Sequence, residues 1–184
     1  VTVSAPPRST QEFANFVGEY AERYGDTVDY YQIWDETNLD DAWGLLDPKP
    51  AEYMALLSDA YAQIHDIDTK AYVMSAGLAP TTEQSGQNIS DLRYLEALYV
   101  YGLKDYSDIV AGKGYGFSLS PLDRTVDEST LNFSRIIALR EIMVTNGDGN
   151  KSLWMSNWGW NSLPDNWSGS PSIWGSVNAQ EQIQ

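Results

Sequence analysis

The chain has 184 residues, 42% of them hydrophobic, with 11 basic and 26 acidic side chains, a net charge of −15, one histidine and no cysteine. That length and apolar content suit one core, so residues 1–184 are read as a single domain. Without cysteine there is no disulfide framework, thiolate nucleophile or cysteine metal site, and the lone His65 excludes a histidine-rich zinc centre. The negative field repels phosphate backbones and anionic membranes, and no apolar run approaches the ~20 residues of a membrane span. Neither nucleic acid nor membrane is therefore expected as a partner, and no cofactor or metal is expected. Neutral, hydroxyl-rich ligands meet no such repulsion. The start at Val1 lacks a basic-then-apolar leader, and the polypeptide is expected to begin further upstream.

Two periodicities alternate along the chain. Ser9-Thr10-Gln11-Glu12 forms a capping box. Phe13, Phe16, Val17, Tyr20, Ala21 and Tyr24 follow at helical spacing, and Gly25 stops the helix. A strand is predicted from Val28 to Trp34. Pro48 and Pro50 open a second helix with Tyr53, Leu56, Leu57, Ala60, Tyr61 and Ile64 on one face. Ala71 to Gly77 reads as a strand, and Leu92, Leu95 and Tyr99 mark a third helix. Asp108 to Gly112 reads as a short strand running into a loop with Tyr115 and Phe117. A fourth helix carries Leu131, Ile136, Ile137, Leu139, Arg140 and Met143, ended by Asn146-Gly147, and Leu153 to Trp158 is the last strand. The tail from Asn161, rich in Ser, Pro, Asn and Gly, reads as a long loop, with a helix start expected between Ala179 and Gln184.

Helix and strand in alternation imply a parallel sheet with helices packed outside it. A doubly wound sheet and a barrel both fit. No G-x-G-x-x-G follows a strand, and Gly112-Lys113-Gly114-Tyr115-Gly116 lacks both that spacing and a following helix. Polar and aromatic residues at the carboxyl ends of several strands favour a (β/α) barrel of the TIM type.

Two of those strand ends stand out. In Tyr31-Gln32-Ile33-Trp34-Asp35-Glu36-Thr37-Asn38-Leu39 the apolar run stops at the carboxylate Glu36, and in Trp154-Met155-Ser156-Asn157-Trp158-Gly159-Trp160 it stops at the amide Asn157. The first resembles the Ile-Trp-Asn-Glu-Pro-Asn signature of clan A glycoside hydrolases, especially the family 39 and family 5-like barrels. The second resembles their Trp-x-Thr-Glu-Phe-Gly-Trp segment. Ala76-Gly77-Leu78-Ala79-Pro80 and Tyr115-Gly116-Phe117, the latter where a His-x-Tyr-Gly loop often sits, are weaker matches. The resemblance spans roughly Pro6 to Trp160.

What the resemblance implies is specific. The first motif would end the fourth barrel strand and the second the seventh, so the chain would be a partial barrel, with other segments or chains covering two open edges. The ligand would be a β-linked oligo- or polysaccharide, and an extracellular or cell-surface location is favoured. Glu36 would be the acid/base. The family's Asn stands as Asp35, its Pro as Thr37 and its nucleophilic Glu as Asn157. An amide is a poor nucleophile, so direct displacement through position 157 is lost. A substrate-assisted route and an inactive, sugar-binding or assembly role both stay open. The Glu36 and Asn157 side chains are expected to face one another at ~5–5.5 Å, as in a retaining pair, with Tyr115 close to both.

The expected substrate-binding residues are Asp35, Asn38, Trp43, Tyr115, Trp158 and Trp160. Asp35 is expected to point away from Glu36, since neighbours on a strand face opposite sides, and pairing with an arginine is its plainer reading. Trp43 and Trp160 are expected to be ligand-facing, with Trp158 and Trp160 turned apart about Gly159. Arg135 and Arg140 on the fourth helix read as solvated or paired with Glu141 and Asp residues, and His65 as a helix-end cap. Asn146-Gly147-Asp148-Gly149-Asn150 has the alternating oxygens of a calcium loop without its closing Glu, and reads instead as a helix-ending turn.

Overall fold

A computed structural model describes residues 4–182. In chain order it contains α1 (Thr10–Tyr24), β1 (Tyr30–Gln32), α2 (Pro50–Ile67), β2 (Tyr72–Met74), α3 (Asp91–Val100), β3 (Ile109–Tyr115), α4 (Arg135–Thr145), β4 (Ser152–Gly159) and α5 (Ala179–Gln182). The four strands form one sheet in the order β1-β2-β3-β4, and every neighbouring pair is parallel. This is part of a (β/α) barrel of the TIM type, with each of the first three strands followed by a helix that returns the chain to the next strand.

The helices form where their ends are capped and their faces are apolar. The Ser9 hydroxyl accepts the Glu12 N–H at 3.2 Å, one of the orphan donors of the first turn of α1. Pro50 opens α2, where its fixed φ suits the first helical position. Tyr53, Leu56, Leu57, Ala60 and Ile64 of α2, Leu95 and Leu98 of α3, and Leu139 and Met143 of α4 converge with Ile33, Val73 and Val110 in one buried core.

β1 and β2 are shorter than the runs predicted for them, although their ends stay close through bridges between Asp35 and Gly77 and between Leu78 and Gly112. β3 extends beyond Gly112 to Tyr115 because β4 supplies an edge along its whole length. α4 begins at Arg135, later than Leu131 suggests. Asn132 sits instead in a turn, its amide donating to Asp123 and to the Thr125 carbonyl.

Arg135 is paired with an aspartate and Asn146–Asn150 forms the helix-ending turn, as expected, whereas Arg140 and His65 find partners not foreseen. Arg135 is buried, donating to both carboxylate oxygens of buried Asp91 and to the carbonyls of Glu128 and Thr130. Burial pushes the Asp91 carboxyl above the usual range, and the Arg135 hydrogen bonds and charge act against that rise. Arg140 donates to the Gly149 and Lys151 carbonyls and fastens the turn after α4. His65 lies in the last turn of α2 but is paired 3.0 Å from Asp108, whose carboxylate also accepts the Val73 N–H at 2.8 Å. The Asn146–Asn150 segment is the turn that ends α4: Asp148 donates its N–H to the Met143 carbonyl, and its buried carboxylate is taken by Tyr99 and Lys151.

Among the described residues the sheet is covered on the helix side alone. Along the opposite face Tyr30 lies against Tyr72 (ring centroids 5.1 Å apart) and against Trp154 (4.9 Å), and all three rings are well exposed. In a closed eight-stranded barrel such inward residues fill the interior. Beside β4, a groove of about 620 Å³ lined by Ile136, Ile137, Leu153 and Trp154 lies open where a further strand and helix would pack. Two edges and an aromatic inner face are a surface for association. The 184-residue chain is accordingly expected to self-associate in light scattering, with Trp154→Lys reducing it; a monodisperse monomer over a wide concentration range would show that the edges are protected. Asp91→Ala should lower stability by about 3–5 kcal/mol in denaturant unfolding, because it strands the Arg135 guanidinium in the core.

Candidate functional site at the carboxyl ends of the strands

After Gln32 the first strand leaves regular geometry. Ile33 still donates to the Met74 carbonyl (3.0 Å) and Glu36 to the Gly77 carbonyl (3.1 Å), but Trp34 and Glu36 adopt φ of 69° and 51°. Left-handed backbone at two non-glycine residues is uncommon and clusters at functional positions. It has a direct consequence here. Asp35 and Glu36 do not diverge as strand neighbours would; both side chains reach the same cation.

That cation is Lys113 of β3. Its ammonium donates to Glu36 Oε1 at 2.7 Å and to Asp35 Oδ2 at 2.8 Å, while its side chain is only 4% exposed. Burial opposes the charge on Lys113, but the hydrogen bonds to Asp35 and Glu36 outweigh it and raise its pKa above the ordinary lysine value. The carboxylates are less covered, Glu36 at 25% and Asp35 at 49% exposed.

Asn157 enters the same neighbourhood through a register shift. Ala111 pairs with Trp154 and Gly112 with Met155, but Lys113 pairs with Asn157, so Ser156 is the extra residue of a bulge. Without the bulge, Trp154 and Asn157 would fall on opposite faces; with it, each is the ladder partner of a residue on the face of Ala111 and Lys113. Ser156 turns its hydroxyl toward the Gly112 carbonyl at 3.4 Å. Gly77 faces this point closely: a Cβ there would collide with Ser156 Oγ and lie 3.1 Å from Asp35 Oδ1.

Two buried residues hold the framework. The Tyr53 hydroxyl of α2 donates to the Ile33 carbonyl at 3.0 Å and accepts the Ala76 N–H at 2.6 Å, tying together the ends of the first two strands. Burial pushes the Tyr53 pKa up, so the phenol stays a neutral donor. Asn38 is fully buried, with its amide bonded to both backbone groups of Ala79 and to the Ile89 carbonyl, each at 2.9 Å.

An aromatic rim stands next to the charged cluster. Tyr115, Trp158, Trp160, Asn161 and Trp174 line a recess of about 340 Å³. The Tyr115 pKa is raised by burial, with Lys113 opposing the rise and the Glu36 and Asp35 charges adding to it. Trp158 is 68% exposed, whereas Trp160 stacks on Phe133 at 5.4 Å and donates its indole N–H to the Leu119 carbonyl. The Trp174 ring lies 5.2 Å from that of Tyr115.

Glu36, Asp35, Asn157 and Tyr115 are thus gathered at one end of the sheet, with Trp158 and Trp160 both on the adjoining recess. Trp43 does not join them. It is 1% exposed, packed between Trp34 and Tyr53, and offers no ring face to a ligand. Asn38 is likewise a buried brace. Asp35 pairs with a lysine in place of the expected arginine. Lys113, Ser156, Tyr53 and Trp174 escaped the sequence reading. A lysine on an otherwise apolar strand was the one available signal, and its flanking glycines made it look like loop.

Among solved structures the chain is similar in fold to a monomeric beta-xylosidase from Caulobacter crescentus, with 20% identity, a TM-score of 0.57, and 82% of this chain covered against 30% of that one. It is similar to a glucosidase from Croceicoccus marinus, at 16% identity and a TM-score of 0.66 over 90% of this chain and 34% of that one. An alpha-L-arabinofuranosidase from Thermotoga maritima matches at 14% identity and a TM-score of 0.57 over 94% of this chain and 36% of that one. The chain therefore spans about a third of the length of each. No protein family model and no curated protein matches it.

The raised pKa of Lys113 ties the site to stability. Its pairing stabilises the fold fully below the unfolded lysine value of about 10.4 and is lost as pH rises through the higher folded value. Lys113→Met should cost about 1.5–3 kcal/mol at neutral pH, as for hydrogen bonds to charged groups. The difference from the parent chain should shrink above about pH 10.4, measured by urea unfolding at a series of pH values. Gly77→Ala should also destabilise, with its largest effect on Ser156 and Asp35 resonances.

Proposed function

We propose that the chain is the sugar-binding part of a glycoside-hydrolase-like barrel, taking β-linked oligo- or polysaccharide at the carboxyl ends of its strands. The observation that carries this reading is the joint placement of Glu36, Asp35 and Asn157 around Lys113, beside an aromatic recess. Exposed indole faces such as Trp158 suit the apolar faces of sugar rings, and strand-end carboxylates and amides suit their hydroxyls. The fold likeness to a beta-xylosidase and a glucosidase supports a neutral sugar, as does the net charge of −15.

In the hydrolytic form of this reading, Glu36 is the surviving acid/base. Retention needs a second carboxylate ~5 Å away to attack the anomeric carbon. With Asn157 at that position no covalent glycosyl intermediate forms there, and hydrolysis is slow. Asn157 thereby favours a second reading, a catalytically inactive barrel that binds sugar or serves assembly. The remaining strands of the barrel belong to segments or chains beyond these residues.

Titration with xylo- and gluco-oligosaccharides, followed by tryptophan fluorescence, should show saturable binding that Trp158→Ala weakens at least tenfold; absence of binding to any neutral oligosaccharide would remove the proposal. Aryl β-glycosides should turn over very slowly. Asn157→Glu should raise that rate, and brisk Glu36-dependent hydrolysis by the unmodified chain would instead point to substrate assistance.

A further inference from the structure

We propose that Lys113 is a positioning residue that locks Glu36 into an ion pair and withholds it from proton donation, making a second difference, beyond Asn157, between this site and a working retaining pair. The inference rests on the glycoside-cleft reading and adds a control within the same site.

The geometry is direct. The Lys113 ammonium has three N–H groups, of which one goes to Glu36 Oε1 at 2.7 Å and one to Asp35 Oδ2 at 2.8 Å. Its side chain is 4% exposed, so water is a poor substitute for either partner. A general acid must hand a proton to the leaving glycosidic oxygen as the bond to the anomeric carbon breaks. A carboxylate that accepts an N–H from a buried ammonium is held as an acceptor. Lys113 is no replacement acid, because hydrogen bonds to both carboxylates outweigh burial and keep its proton on.

Among the described residues no second cation pairs with either carboxylate. Glu36 and Asp35 share Lys113 on β3, and both charges reach Tyr115 on the same strand; Asn157 on β4 is the ladder partner of Lys113, Ser156 lies against Gly77 beside Asp35, and the Asp35 charge also reaches Tyr53 on α2. One ammonium against two carboxylates leaves the cluster with a net charge of −1, which disfavours uronic acids. Neutral sugar hydroxyls are the class of ligand such an acceptor-rich cluster takes.

Two measurements on the 184-residue chain test this. In lysine side-chain NMR, the Lys113 ammonium should titrate above the ordinary ~10.4, and Glu36→Gln and Asp35→Asn should each bring it down. An ordinary, unresponsive Lys113 overturns the lock whatever the sugar chemistry. The second measurement compares Asn157→Glu with Asn157→Glu/Lys113→Gln on aryl β-xylosides. In both, the new carboxylate attacks the anomeric carbon and the aryl oxygen leaves with the bonding electrons. A dinitrophenolate needs no proton, whereas a phenolate does. Removing Lys113 should raise kcat at least tenfold on the phenyl substrate and less than about twofold on the dinitrophenyl one, within the reach of general acid catalysis. Lys113→Arg in the same background should give no gain, and Lys113→Met serves if the Gln variant does not fold. Equal gains on both substrates, or none while oligosaccharide binding persists, overturn the assignment. Loss of oligosaccharide binding in every variant, with the NMR response intact, removes the glycoside-cleft reading and leaves the ion pair standing.

Discussion

A buried ammonium joins the parts of this structure that matter for function. Lys113 sits on the third strand, yet its partners Asp35 and Glu36 lie at the end of the first, 78 and 77 residues earlier. A charge with so little exposure requires compensation where it stands. The demand falls on the backbone around Trp34 and Glu36, whose left-handed conformation turns two adjacent carboxylates to one side. The bulge on the fourth strand then sets Asn157 opposite Lys113.

The framework beneath the cluster is neutral and rigid. Tyr53 and Asn38 use buried hydrogen bonds to fix the backbone just past the strands, and Gly77 admits the Ser156 hydroxyl where any side chain would collide. Buried polar groups that are fully satisfied specify a geometry, because each alternative arrangement leaves a donor or acceptor unpaired. The candidate site is thus held from below by buried residues bonded to the backbone of the strand ends. Its aromatic rim comes from a different region, the segment after β4 that brings Trp174 against Tyr115.

The same strands that build the site leave the domain open. Parallel strands are normally covered on both faces, and here helices cover one. The Tyr30, Tyr72 and Trp154 stack on the other face has the spacing of a barrel interior and the exposure of a surface. Completion of the barrel would enclose that stack and deepen the cleft above it. Site and assembly are therefore one physical problem in this molecule.

By itself the sequence determined the local elements and the two strand ends. Periodicity and capping define α1 and α2, since the i, i+3, i+4 spacing of apolar residues and the Ser9 cap act within a few residues. The runs ending in Glu36 and Asn157 were legible because an apolar strand that stops at polar residues is a local pattern. Tertiary structure alone decided which residues meet. The Lys113 pairs, the Arg135–Asp91 pair 44 residues apart and the burial of Trp43 all depend on strand register and helix packing. Left-handed φ at Trp34 and Glu36 carries no glycine to announce it. Composition and spacing report what a segment prefers; a buried charge is placed by whatever the whole fold brings within hydrogen-bonding reach of it.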